Sequence, residues 1–126
     1  MVPTMPMGKT ATTQLSGTSE VPPVTGSASG TMQAKLDTQS NVLTWTITYS
    51  GLTGPATAGH FHGPAIVGQS AGVALPLTGS LVSPISGSAT LSATQLADVM
   101  AGKWYINLHT AANPNGEIRG QLNLQP

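Results

Sequence analysis

The chain has 126 residues, no cysteine and only 6% charged side chains, and four basic residues balance four acidic ones. This length fits a single domain. Without a basic patch to hold phosphates, the composition argues against nucleic-acid binding, and without cysteine it excludes disulfide and thiolate chemistry. No apolar run reaches the roughly 18 residues that a membrane-spanning helix needs.

The N-terminal segment 1–8 contains two prolines and no hydrophobic period, which predicts a disordered tail. Its methionines Met1, Met5 and Met7 could bind a soft cuprous ion, although a tail without function is the simpler interpretation. The segment lacks the apolar stretch of a signal peptide, so an exported protein would have lost its leader. We therefore expect residues 9–126 to form one domain.

Alternation of apolar and polar residues predicts the strands of an all-β domain. Residues 28–36 and 43–49 alternate most regularly, and a turn at 37–41 joins them into a hairpin. Residues 104–110 and 117–124 alternate in the same way, and the Asn-Pro-Asn-Gly turn between them is a strong hairpin signal. Shorter extended segments are predicted at 10–15, 57–62, 73–77 and 86–91.

The segment 92–102 carries the one helical pattern of the chain. Ser92 or Thr94 can cap its N-terminus, apolar residues recur at helical spacing within it, and Gly102 is suited to end it. About eight short strands and one short helix in a chain of this size predict a Greek-key β-sandwich or barrel.

All three histidines of the chain are predicted on strand faces that point away from the core. His60 and His62 are two residues apart, so they share one face of an extended segment while Phe61 enters the core. In the strand 104–110, His109 also falls on the face opposite the apolar residues. Three such imidazoles can converge on one metal ion and leave a position open, and imidazole suits zinc, copper, iron and nickel. The residues alone leave open that these are ordinary polar surface side chains.

Glu117 and Arg119 share the outward face with His109. Glu117 is a candidate fourth metal ligand, or it could orient a histidine through the second ring nitrogen. Arg119 is a candidate residue for contacting the metal ligands without binding the ion itself. A simple surface ion pair between Glu117 and Arg119 is the alternative, and such a pair would contribute little stability.

Several segments of the chain resemble the chordin-type (CHRD) domain family. The resemblance implies an immunoglobulin-like or Greek-key β fold in an extracellular or periplasmic protein. In animals such domains are repeats of an antagonist of secreted growth factors, and in bacteria they are stand-alone exported domains. The matching segments are L-S-G (15–17) with E-V-P-P-V (20–24), G-L-T-G (51–54), A-G-H-F-H-G-P-A (58–65), and A-G-K-W-Y-I-N-L-H-T (101–110) with N-P-N-G-E-I-R-G (113–120).

The spacing of His60, His62 and the distant His109 is also similar to the copper site of copper/zinc superoxide dismutases, which lies outside a Greek-key barrel. This likeness implies a fold of superoxide-dismutase type as an alternative to the immunoglobulin-like one. The chain offers no second cluster of His and Asp for a zinc ion and no cysteine pair, so the likeness concerns the site and not the family.

The leading interpretation is an exported CHRD domain that binds copper for sequestration, transfer or sensing, with zinc as the alternative metal. A second interpretation is a mononuclear copper enzyme that dismutates superoxide, with Arg119 attracting the anion. A third is a metal-independent extracellular module that binds a protein partner through its loops.

Overall fold

A computed structural model of the protein describes residues 8–125, and the predicted alternating segments form eight strands in it. The predicted tail and its methionines lie outside the described residues, apart from Gly8, which begins the first strand. The elements are β1 (Gly8–Ser16), β2 (Ser29–Asp37), β3 (Val42–Ser50), β4 (Ala58–His62), β5 (Val73–Pro76), β6 (Ile85–Thr90), the helix α1 (Ala93–Met100), β7 (Trp104–His109) and β8 (Ile118–Leu122).

All eight strands belong to one antiparallel sheet, in the order β5–β4–β7–β8–β1–β2–β3–β6. The sheet curls into a half-barrel whose concave face encloses the core, which confirms the predicted all-β class with one short helix. The predicted hairpin between β2 and β3 is present. In its turn Asn41 adopts a φ of 62°, and the Asp37 carboxylate accepts hydrogen bonds from the backbone N–H groups of Gln39 and Ser40.

Three aromatic rings occupy the centre of the concave side. The ring centroid of Phe61 lies 5.1 Å from that of Trp45 and 5.5 Å from that of Trp104. Trp45 is on β3 and Phe61 is on β4, and these strands are far apart in the sheet order. The ring contacts therefore join the two sides of the curl. A Cβ atom on Gly87 would approach the Trp45 ring to 2.7 Å, so a glycine on β6 leaves room for the indole.

The helix begins and ends near its predicted bounds. Ser92 and Gln95 form a capping box, in which each side chain accepts a hydrogen bond from the backbone N–H of the other. Gly102, with a φ of 73°, follows its C-terminus. The Gln95 amide also donates to the Ala74 carbonyl, which fixes the helix to the edge strand β5. Within residues 8–125, no helix has the length and apolar character needed to cross a bilayer.

The register between β4 and β7 determines which polar side chains meet. His60 pairs with Asn107 and His62 pairs with Tyr105, while His109 lies two positions beyond Asn107 on β7. Residues at these positions project from the same, convex face of the sheet. Diagonal neighbours across an antiparallel pair remain within reach of long side chains, so the diagonals His60–His109 and His62–Asn107 run side by side.

Candidate metal centre

The three histidines meet at one point on the convex face, and we call His60, His62 and His109 the histidine cluster. The Nδ1 atom of His60 lies 3.0 Å from Nε2 of His109. The ring centroid of His60 is 4.8 Å from that of His109 and 5.3 Å from that of His62. One ligand nitrogen from each ring lies within 4.8 Å of the others. The structure thus brings together the residues that the sequence places in two separate segments.

The spacing of the histidine cluster is compatible with a bound transition-metal ion. Two nitrogens that bind one ion at about 2.1 Å can be at most roughly 4.2 Å apart. The cluster, with its ligand atoms within 4.8 Å, needs to contract by no more than roughly half an ångström to meet that limit.

Backbone carbonyls contact the second ring nitrogens of two of these histidines. His109 Nδ1 donates to the Pro114 carbonyl at 2.9 Å, and His62 Nδ1 donates to the Ala71 carbonyl at 3.0 Å. A carbonyl only accepts, so in each neutral ring Nδ1 carries the proton and Nε2 presents a lone pair. Metal-ligating histidines commonly have this arrangement, because the outer hydrogen bond fixes the tautomer and the ring orientation.

Strand faces that point away from the core imply exposed histidines, and this implication is wrong for two of the three. His62 and His109 are each 8% exposed, and only His60 is half-buried. The face is the predicted one, opposite Phe61, but the loops 63–72 and 110–117 fold over it and supply the two carbonyls. Alternation along a strand identifies a face, and it does not show which loops will cover that face.

Burial also favours the neutral form of His60 and His62. Desolvation lowers the pKa of His60 and of His62, and repulsion from His109 lowers both further. At His62 the Ala71 carbonyl and the Asn107 amide oxygen can both accept hydrogen bonds from the protonated ring, which opposes this pKa shift without reversing it. Neutral imidazole is the form that binds metal ions, so the lowered pKa values keep these two rings ready to act as ligands.

A comparison with known protein families identifies the family to which the chain belongs. The CHRD domain family matches residues 11–122, which run from within β1 to the end of β8. The chain belongs to the CHRD family. The match spans nearly all of the expected domain and includes every histidine of the sequence. Searches among curated proteins and among solved structures gave no match.

A stack of planar groups supports His62 in this CHRD domain. The Tyr105 ring lies almost parallel to the imidazole, with centroids 4.8 Å apart and 9° between the planes. The guanidinium carbon of Arg119 lies 3.8 Å from the Tyr105 ring centroid. Arg119 Nε donates to Glu20 Oε1 at 3.0 Å, and Nη1 donates to the Gln69 carbonyl at 2.9 Å. Arg119 is therefore a buried, paired cation and not the outward surface residue expected from alternation.

Glu117, a candidate fourth ligand, lies outside the histidine cluster. Its carboxylate accepts hydrogen bonds from the Thr53 hydroxyl at 2.6 Å, the Thr110 hydroxyl at 2.8 Å and the Asn113 amide at 3.2 Å. These donors join the turn after β7 to the loop between β3 and β4. The alternative of an ion pair between Glu117 and Arg119 is wrong too, because Arg119 pairs with Glu20.

Replacement of Glu117 by glutamine is expected to destabilise the domain in a pH-dependent way. Burial acts to raise the pKa of Glu117, but the hydrogen bonds from Thr53, Thr110 and Asn113 outweigh burial and hold the pKa below its ordinary value of 4.5. We expect Glu117→Gln to lower the free energy of unfolding by about 1–3 kcal/mol at neutral pH, because bonds to a charged acceptor are lost.

A depressed carboxyl pKa contributes stability that is present above the unfolded pKa and lost as the pH falls through the folded pKa. Urea unfolding should therefore show a higher free energy of unfolding for the wild type than for Glu117→Gln at pH 7. This difference should become smaller as the pH falls toward about 3. A difference that does not change with pH would contradict this assignment of the Glu117 hydrogen bonds.

Two buried polar residues beside the cluster are absent from the sequence-based site. Asn107 is 1% exposed, and its Oδ1 lies 2.9 Å from His62 Nε2. Glu20 is buried, and its Oε2 has no hydrogen bond. The nearby Asn107 amide acts to lower the pKa of the Glu20 carboxyl. The alternation along 104–110 that places His109 on the face of the histidine cluster also places Asn107 there, so the sequence contains a signal for Asn107. Glu20 precedes two prolines in a segment without any period.

Proposed function

We propose that this CHRD domain binds one transition-metal ion at the histidine cluster. The observation that carries the proposal is the convergence of every histidine of the chain on one point, from two strands that are distant in sequence. Within residues 8–125, no other group of three or more histidine and acidic side chains has the spacing of a metal site. The Nδ1 hydrogen bonds of His62 and His109 support it, since they direct both Nε2 lone pairs away from the protein carbonyls.

We propose copper as the metal, with zinc as the alternative. Imidazole binds both ions, but among divalent first-row metals the cupric ion has the highest affinity for such donors. Zinc sites are mostly tetrahedral with three or four protein ligands. The half-buried His60 leaves the cluster accessible from one side, which suits uptake and release of an ion. The function proposed is copper binding for sequestration or transfer, in an extracellular or periplasmic protein, because CHRD domains occur in extracellular proteins.

Superoxide dismutation is not favoured by the surroundings of the cluster. That interpretation uses Arg119 to attract the anion, but the Arg119 side chain is buried and its charge is paired with Glu20. A metal-independent interaction module is the remaining alternative. It predicts that a variant without the three histidine side chains has the same properties as the wild type when metal ions are present in solution.

Calorimetric titration of the metal-free protein with Cu²⁺, and separately with Zn²⁺, tests the proposal. We expect one site per chain and tighter binding of Cu²⁺. His62→Gln and His109→Gln are each expected to weaken binding by more than about 100-fold, because the loss of a ligand should exceed the 10–100-fold cost of losing a residue that only orients one.

The double variant Met5→Leu/Met7→Leu is the matched control, because methionines near the N-terminus are the other candidate ligands for copper. It should bind Cu²⁺ like the wild type. Unchanged Cu²⁺ affinity in both histidine variants would overturn the proposed function.

A further inference from the structure

A fourth polar side chain, Asn107, faces the histidine cluster. The register of β4 and β7 places Asn107 directly across from His60, and its Oδ1 lies 2.9 Å from His62 Nε2. The neighbouring diagonal has nearly the same length, with 3.0 Å between His60 Nδ1 and His109 Nε2. Two atoms that bind one ion at about 2.1 Å and at right angles lie about 3.0 Å apart. Both diagonals therefore match the separation of adjacent ligand atoms on a metal ion.

When the His62 imidazole is neutral, no proton lies between its Nε2 and Asn107 Oδ1. The single ring proton is on Nδ1, which donates to the Ala71 carbonyl, so Nε2 presents a lone pair. Asn107 Oδ1 also presents only lone pairs. Two acceptors thus face each other at 2.9 Å with both residues buried, and an unsatisfied buried acceptor is costly. A cation bound by both atoms removes this mismatch.

The Asn107 amide is held in this orientation from its other end. Its Nδ2 donates to the Asn115 carbonyl at 3.5 Å and lies beside Glu20 Oε2, which is buried and has no hydrogen bond. Rotation of the amide by half a turn would place Oδ1 against these two acceptors. A Cβ atom on Gly116 would lie 2.5 Å from Asn107 Nδ2 and 2.4 Å from Glu20 Oε2, so the glycine leaves room for both groups.

We propose that Asn107 Oδ1 is a ligand of the ion bound by the histidine cluster and that Glu20 is a positioning residue for the Asn107 amide. This inference rests on the proposed function. The site then offers three imidazole nitrogens and one amide oxygen, and a tetragonal N,O environment is typical of the cupric ion. Of the two oxidation states of copper, the site accordingly favours Cu²⁺ over Cu⁺, which prefers sulfur ligands.

Asn107→Leu tests the inference, because leucine has a similar volume and no ligand atom. We expect Cu²⁺ affinity to fall at least about tenfold and the hyperfine splitting of the Cu²⁺ electron paramagnetic resonance spectrum to change, since the set of bound atoms changes. Asn123→Leu is the matched control, because Asn123 is an exposed asparagine that follows β8. It should leave both the affinity and the spectrum unchanged.

A second variant makes the test independent of how well Asn107→Leu folds. Glu20→Gln/Asn107→Asp exchanges the negative charge between the two residues and retains an amide donor beside a carboxylate. It directs a carboxylate oxygen toward His62, where the wild type has an amide oxygen. We expect this double variant to bind Cu²⁺ at least as tightly as the wild type, with an altered spectrum.

The outcomes separate this inference from the proposed function. Wild-type protein that binds no Cu²⁺ would overturn both. Wild-type binding that is matched in affinity and spectrum by the Asn107 variants would overturn the ligand role of Asn107 and leave the histidine cluster standing. Weaker binding with an unchanged spectrum would also overturn it, because Asn107 would then act only through His62.

Discussion

Arg119→Met is expected to lower the free energy of unfolding by about 3–5 kcal/mol at neutral pH. Arg119 and Glu20 form a buried ion pair with 3.0 Å between Nε and Oε1. Methionine retains apolar contact with the Tyr105 ring, but it leaves the carboxylate buried without its partner and with Oε2 already lacking a hydrogen bond. Removing one member of a buried pair is costly because an uncompensated charge remains in the interior.

The cost of Arg119→Met should fall as the solution is acidified. Burial raises the pKa of Glu20, and Arg119 acts to lower it, so the variant should have a still higher Glu20 pKa. A carboxyl group with a raised folded pKa stabilises the fold when protonated, and this contribution is lost as the pH rises through the folded pKa. The variant should therefore regain stability relative to the wild type between pH 7 and about pH 5.

Urea unfolding at both pH values measures this difference in stability. Glu20→Gln/Arg119→Met removes both charges and is the matched control, which should be more stable than Arg119→Met at pH 7. A stability difference that is independent of pH would show that Glu20 remains ionised without Arg119 and would contradict the argument.

Phe61→Ala is expected to cost about 3–5 kcal/mol of stability and also to weaken metal binding. Phe61 is fully buried and its ring contacts both Trp45 and Trp104, so alanine leaves a cavity at the centre of the core. The same residue lies between His60 and His62 on β4. Relaxation of β4 into the cavity would move both imidazoles relative to His109.

Phe61→Leu is the matched control, because it retains most of the volume and should cost about 1–2 kcal/mol. Thermal unfolding and Cu²⁺ titration of the three proteins measure both effects. If Phe61→Ala loses stability but keeps wild-type Cu²⁺ affinity, the geometry of the histidine cluster does not depend on packing behind β4.

The sequence predicts the strands well because their alternation is local. The pattern in 43–49 is enough to place Trp45 inside the curl, and the two-residue spacing of His60 and His62 is enough to place both on one face. The capping residue Ser92 likewise marks the start of the helix. Each of these signals depends on contacts between residues that are close in sequence.

The parts of the site that the sequence does not predict depend on contacts between distant segments. Nothing local indicates that β4 pairs with β7 in the register that brings His109 to His60. Glu117 has the right phase for the cluster, but its carboxylate is bound by Thr53 from the loop between β3 and β4 and by Thr110 after β7. Glu20 reaches the site from the segment after β1, about a hundred residues from its partner Arg119 in sequence.

The carbonyls of Ala71 and Pro114 have a consequence for how this domain could vary among proteins. They hold the His62 and His109 rings in the tautomer that presents Nε2, so the proposed ligand set is preorganised and little ordering would remain for binding an ion. Because both carbonyls belong to the loops 63–72 and 110–117, insertions or deletions there are expected to change the affinity of the proposed metal site while all three histidines stay the same.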